Sequence, residues 1–150
     1  MSEETSAFSC VLDASALLAL LNDEPGGQEV EHLLAEAAIS SVNWSEVVQK
    51  SLARGVGMEG LREDMEALGL LIVPFGFEDA ERAAALWSKT TQAGLSLGDR
   101  ACLALASRLS LPVLTADRAW SSLQDLDISV RVIREGNTLA QAPESSNSRA

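Results

Sequence analysis

Apolar and polar positions along the chain fall into two alternating kinds of run. Short apolar stretches occur at 8–12 (FSCVL), 38–42 (AISSV), 70–75 (LLIVPF), 112–117 (PVLTAD) and 128–135 (ISVRVIRE), and each reads as a strand. Longer stretches between them place apolar residues at helical spacing: ASALLALLN, QEVEHLLAEA, NWSEVVQKSLARG, MEGLREDMEALG, EDAERAAALWSKTTQAG and GDRACLALASRLS. Their ends are punctuated. Pro25-Gly26-Gly27 closes the first helix, Gly55-Val56-Gly57 the third, and Gly69 and Gly94 follow the next two. Strands alternating with helices predict an α/β fold: a mostly parallel central sheet with helices on both faces, three layers deep.

The chain has 150 residues, which suits one domain, and 47% of them are hydrophobic, enough for a core without disulfides. The predicted layout is a flexible N-terminus (1–7), a folded domain (8–135) and a disordered tail (136–150) rich in Ser, Asn and Ala. Cys10 and Cys102 each sit in an apolar run and read as buried free thiols. No run reaches the length of a membrane span, and the acidic, polar start is unlike a secretory signal. These features predict a soluble cytoplasmic protein. The net charge of -11, taken alone, argues against nucleic acid and fits a basic partner or a cation site.

Four acids stand out by position. Asp13 follows the first strand and Asp117 the fourth. Glu46 lies early in the helix after AISSV, and Asp99 opens the helix after the turn LSLG. In a parallel sheet, strand carboxyl ends and the following helix starts share one edge, so connectivity alone brings the four together. Each also suits helix capping, with Asn43-x-x-Glu46 and Ser96-x-x-Asp99 at capping-box spacing. Clustered carboxylates repel one another, and a hard divalent cation relieves that repulsion. His32 stands in a helix remote from these acids, and no Cys/His motif competes as a zinc site.

In order and separation, these acids resemble those of the PIN-domain family, and within it the VapC toxins of toxin–antitoxin pairs. The resemblance runs from about Phe8 to Arg134. It rests on VLDASALLALL (Asp13, Ser15), SSVNWSEVVQK (Asn43, Glu46), LSLGDRACLALA (Asp99) and LTADRAW (Thr115, Asp117, Trp120). It implies a Mg²⁺- or Mn²⁺-dependent endoribonuclease with Asp13, Glu46, Asp99 and Asp117 as catalytic acids. It also implies an RNA substrate, a cognate antitoxin and a homodimer. Asp13, Asp99 and Asp117 are the expected metal ligands, and Ser15, Asn43 and Thr115 are candidates to hold the carboxylates in place, with local capping or turn hydrogen bonding as the alternative.

Lys50 and Arg54, spaced from Glu46 at one helix face, are candidates to guide phosphates, with a Glu46–Lys50 ion pair as the plainer alternative. Arg100 and Arg118 directly follow two of the acids and are candidates for the rim. Trp87 and Trp120 read as core residues, and Trp44 is ambiguous. Asp125 and Asp127 read as part of a solvated loop. The absence of an acid at Ser15, and a total of two lysines, separate the chain from acid-dehalogenase-like phosphatases and receiver domains. The remaining alternative is a non-catalytic PIN-like module that binds RNA or protein.

Overall fold

The computed structural model describes residues 7–123 and 126–133. The tail 136–150, nearly all of the N-terminal stretch 1–7, and Asp125 lie outside the described residues. The order of elements is β1 (Cys10–Leu12), α1 (Ala14–Leu21), α2 (Gly27–Leu33), a 3₁₀ turn (Leu34–Glu36), β2 (Ala37–Ser40), α3 (Ser41–Ala53) and α4 (Leu61–Ala67). There follow β3 (Leu71–Val73), α5 (Phe77–Ala85), α6 (Trp87–Thr90), α7 (Leu97–Leu109), β4 (Val113–Thr115), a second 3₁₀ turn (Arg118–Ser122) and β5 (Val130–Val132).

The five strands form one sheet in the order β3-β2-β1-β4-β5, and every pairing is parallel. Strand residues alternate between two cores, as the pleat requires. Cys10, Leu12, Ala37, Ile39 and Leu114 face a core shared with Ala16 and Leu17 of α1, Val30 of α2, Val47 of α3 and Met65 of α4. Val11, Ala38 and Val113 face the other, shared with Cys102, Leu103, Leu105 and Ala106 of α7 and with Trp120. This is the expected three-layer α/β/α arrangement. The strand order reverses between β1 and β4, so a crevice opens at their carboxyl ends.

Two local expectations change. The second strand ends at Ser40, because the Ser40 side chain accepts a hydrogen bond from the Val42 amide and starts α3 early. Asn43 and Glu46 therefore lie inside the helix, and the capping box suggested by their spacing does not form. The long helix expected over 78–94 is also broken. Thr90 and Thr91 donate their hydroxyls to the Leu86 and Trp87 carbonyls, a back-bonding that bends helices. Trp87 is 59% exposed rather than in the core, whereas Trp120 is buried and Trp44 packs half-buried against the first core.

Two close contacts hold the site's scaffold. Arg108 of α7 makes two hydrogen bonds to the buried Asp79 of α5, at 2.6 and 3.0 Å. Gly27, which opens α2, lies against the backbone of α1: a Cβ there would stand 2.5 Å from the Ala19 carbonyl oxygen. That neighbour is backbone and has little room to give. Gly27→Ala is expected to cost about 1–3 kcal/mol as α1 and α2 are forced apart. A thermal melt checks it, and an unchanged melting temperature would show that the helices can part at no cost.

Candidate active site

Three of the four acids take part in N-terminal capping, as their spacing allows. Asp13 caps α1, its Oδ1 accepting from the Ala16 amide at 2.9 Å. Asp99 completes a capping box with Ser96, accepting from the Ser96 amide while its own amide donates to Ser96 Oγ. Asp117 accepts from the Ala119 amide at the start of the second 3₁₀ turn. Glu46 does not cap. Its Oε1 accepts from Asn43 Nδ2 at 3.1 Å, and the same amide donates to the Gly98 carbonyl at 2.9 Å. Capping and site-building are thus one arrangement: a cap puts a carboxylate at a helix start, and parallel topology puts the helix starts on one edge.

Asp13 is the centre of this edge. It is buried, and three donors hold it: Ser15 Oγ at 2.8 Å, the Ala16 amide, and Thr115 Oγ1 at 2.5 Å. Thr115 Oγ1 also accepts from the Asp117 amide, and Ser15 Oγ accepts from the Ala116 amide, so two hydroxyls stitch the end of β1 to the end of β4. Burial pushes the Asp13 carboxyl up to about 6; the hydrogen bonds from Thr115, Ala16 and Ser15 oppose this, and the nearby Asp99 adds to it. Beneath the edge lies Cys102, fully buried. Its thiol is pushed well above the ordinary range by burial first, and then by Asp13, Asp99 and Glu46. Those three acids therefore act on one point in the fold.

Asp117 is exposed and joins the group through its backbone amide. Among the described residues, no group of three or more His, Cys, Asp or Glu side chains is placed to hold a metal ion. Each carboxylate is instead engaged by hydrogen-bond donors: Asp13 by Ser15, Ala16 and Thr115, Glu46 by Asn43, Asp99 by Ser96 and Asp117 by Ala119.

The basic candidates separate. Lys50 and Arg54 are exposed and line a groove with Ser15, Leu18, Asn22 and Glu24. Among the described residues no ion pair joins Glu46 to Lys50, so the plainer alternative does not form. Arg100 departs from expectation: its guanidinium donates to the Ala83 carbonyl at 2.8 Å and ties α7 to α5 instead of lining the rim. Adjacent helix residues point about 100° apart, so a residue next to a site acid faces elsewhere. Arg118 is exposed on the turn after Asp117, and Asp127 is exposed as expected.

Gly98 lies beside Glu46 in the candidate site, and the sequence pattern does not single it out. A Cβ there would stand 2.8 Å from Glu46 Oε1, so the glycine makes room for that carboxylate. Its one signal in the sequence is a glycine in the first turn of α7, where it costs helix stability and needs a reason.

Cys10 is also buried, and burial with Glu36 and Glu29 pushes its thiol up to about 11. At pH 8 that leaves roughly one Cys10 in a thousand as thiolate, and the thiolate is the reactive form. Neither cysteine is expected to take up iodoacetamide at pH 8 in the native protein, and both should do so in denaturant. Mass spectrometry reads the outcome; rapid native labelling of Cys102 would mean that the seam between α7 and the sheet opens.

The PIN domain family model matches residues 10–126. No match was found among curated proteins. Among solved structures, the chain is similar to one in a toxin–antitoxin complex from Klebsiella pneumoniae (24% identity, TM-score 0.60, covering 77% of this chain and 92% of that one). It is similar to a chain of VapBC2 from Rickettsia felis bound to a DNA fragment from their promoter (17% identity, TM-score 0.59, 83% and 98% covered). It is also similar to a chain of FitAcB from Neisseria gonorrhoeae (22% identity, TM-score 0.58, 81% and 95% covered). At these identities the solved structures speak for the fold. The family model spans most of the chain, including the caps at Asp13, Asp99 and Asp117 and the helix that carries Glu46, and on that match the chain belongs to the PIN domain family.

Proposed function

We propose that the protein is a metal-dependent endoribonuclease and the toxin of a toxin–antitoxin pair. The observation that carries this reading is the buried Asp13 carboxylate, held by Ser15, Ala16 and Thr115 against its own desolvation and beside Asp99. Capping a helix does not require a buried charge, and burying one costs stability, so a desolvated carboxylate at this edge marks a functional-site candidate.

The donors suit a hard divalent cation, because all are oxygen. The buried Asn43 Oδ1, beside Glu46, has no hydrogen-bond partner, which adds an unsatisfied oxygen at the same edge. Asp13, Asp99 and Asp117 would hold Mg²⁺ or Mn²⁺, with Glu46 completing the set. When bound, the ion supplies Lewis acidity toward a phosphodiester and its attacking water. Ser15 and Thr115 orient Asp13, Ser96 orients Asp99, and Asn43 orients Glu46. Glu46, not spent on a cap, is the acid able to orient the attacking water. In hydrolysis that water bonds to phosphorus, the P–O bond to the leaving oxygen breaks, and the leaving oxygen takes a proton. Arg118 remains a rim candidate for phosphate.

An antitoxin that covers this edge, and a homodimer, belong to the same reading. The similarity to chains of toxin–antitoxin complexes supports the first. Among the described residues no helix is long and apolar enough to cross a membrane.

The test compares wild type with Asp99→Asn and Glu46→Gln on a cellular RNA pool, in Mg²⁺ or in EDTA. An asparagine at 99 can still accept from Ser96, so the fold is kept. Cleavage by wild type in Mg²⁺ alone is the expected result. Equal cleavage by all three proteins would reject the site. RNA bound but left whole by wild type would point to a non-catalytic module. For the toxin role, expression alone is expected to arrest growth, and unimpeded growth with soluble, active protein would count against it.

A further inference from the structure

We propose that the groove between α1 and α3 holds the phosphates of a single-stranded RNA segment on one side of the cut, with Lys50 and Arg54 as the contacts. The proposal rests on the ribonuclease reading of the adjacent acids. The groove has a volume of about 250 Å³ and is lined by Ser15, Leu18, Asn22, Glu24, Lys50 and Arg54. Ser15 is the link, since the hydroxyl at this end of the groove also donates to Asp13.

The two cations are spaced for a chain of charges leading away from the site. Lys50 follows Glu46 by four residues and stands about 6 Å further along α3 on nearly the same face, and Arg54, just past the end of α3, comes four residues later. Both are exposed, and neither is paired with Glu46, whose carboxylate is taken by Asn43. The chain carries 11 Lys and Arg against 22 Asp and Glu, so it repels a polyanion overall. Two cations beside a nest of carboxylates offset that repulsion where a strand must pass. Arg54 offers a planar fork for phosphate and Lys50 a compact charge.

The shape and charge of the groove favour a single strand. Duplex RNA is bound over a wide surface, through contacts to successive grooves. Here Glu24 stands among the lining residues, so the cationic surface narrows to one pair of side chains. A narrow cationic track suits one backbone.

The experiment compares wild type with a Lys50→Gln/Arg54→Gln double variant on a short single-stranded RNA of mixed sequence. A charge-matched control, Arg82→Gln/Lys89→Gln, alters a separate cleft between α5–α6 and α7. Binding is read by fluorescence anisotropy in EDTA and cleavage by kinetics in Mg²⁺, each over a range of salt. The double variant is expected to raise KM and the EDTA dissociation constant about tenfold, keep kcat within about twofold, and lower the salt slope by about 1.4. The control should leave all of these near wild type, and thermal melts should match.

Unchanged binding and salt slope in the double variant would overturn the groove assignment, even if the wild type cuts RNA well. An equal effect in the control would also overturn it, by reducing the effect to net charge. A wild type that fails to cut RNA yet binds it through Lys50 and Arg54 would keep the groove and reject the nuclease reading. The two can therefore fail separately.

Discussion

Asp13→Asn is expected to raise the melting temperature of the protein in EDTA at pH 7.5, and to lower cleavage in Mg²⁺ by at least about a hundredfold, the loss a charge-stabilising group at a reacting centre commonly brings. The stability gain follows from the carboxyl being pushed up to about 6 in the fold, against 3.8 for the unhindered group. For an acid raised by folding, the native state is favoured while the group is protonated, and that advantage drains away as pH rises through the folded value. Without a cation, wild type therefore loses about 2 kcal/mol between pH 4 and pH 7 from this one side chain.

An asparagine cannot ionise, so the variant escapes that loss. Its Oδ1 can still accept from Ser15 and Ala16, although the Thr115 hydroxyl must turn to accept rather than donate. The net gain is expected to be several degrees, at roughly 2–4 °C per kcal/mol for a chain of this size. The difference should shrink to a small part of that by pH 4. Equal melting temperatures at pH 7.5 would mean that Asp13 is comfortable as a bare carboxylate, removing the main physical argument for a cation at this edge. Opposite movement of stability and activity would mark Asp13 as kept for function at the expense of the fold.

Trp120→Ala should give the largest loss of stability, about 3–5 kcal/mol, as for other fully buried aromatic residues cut back to alanine. Trp120 is 1% exposed and packs with Val11, Ala38, Cys102, Leu103 and Val113 in the second core. It also lies three residues after Asp117, whose carbonyl accepts from its amide at 3.1 Å. Losing the ring releases the turn that carries Asp117, so activity should fall even at temperatures where the variant stays folded. Trp120→Phe separates the two roles. The indole Nε1 is buried without a hydrogen-bond partner, so phenylalanine keeps most of the packing and removes an unsatisfied donor. Near-native stability and cleavage are expected from it. Calorimetry and the RNA assay read both variants, and a mild Trp120→Ala would mean that the second core is held by α7 alone.

The sequence and structure agree most closely where local chemistry and topology reinforce one another. Asp13 and Asp117 follow strands and cap the next helical turn, and Asp99 closes the capping box of α7, as their spacing allows. Disagreement comes where a side chain's own hydrogen bond, local or tertiary, overrides the apolar spacing. Ser40, not Asn43, begins α3, because its hydroxyl reaches the Val42 amide. Thr90 and Thr91 back-bond and bend a helix whose apolar spacing looks continuous, leaving Trp87 in water. Arg100 stands beside Asp99 in the sequence, yet its guanidinium reaches the Ala83 carbonyl of α5.

By itself the sequence determined the kind of fold and which acids stand at strand ends and early in helices, because these depend on hydrophobic period, on strand–helix alternation and on residue type. Only the tertiary structure decided how those acids are held. The strand order brings Thr115 to Asp13 across 102 positions, Asn43 bridges to Gly98 across 55, and Lys50 and Arg54 share a groove with Ser15. Such contacts join residues that no local pattern relates. They arise only when the sheet has formed and burial has raised the cost of leaving any polar group without a partner.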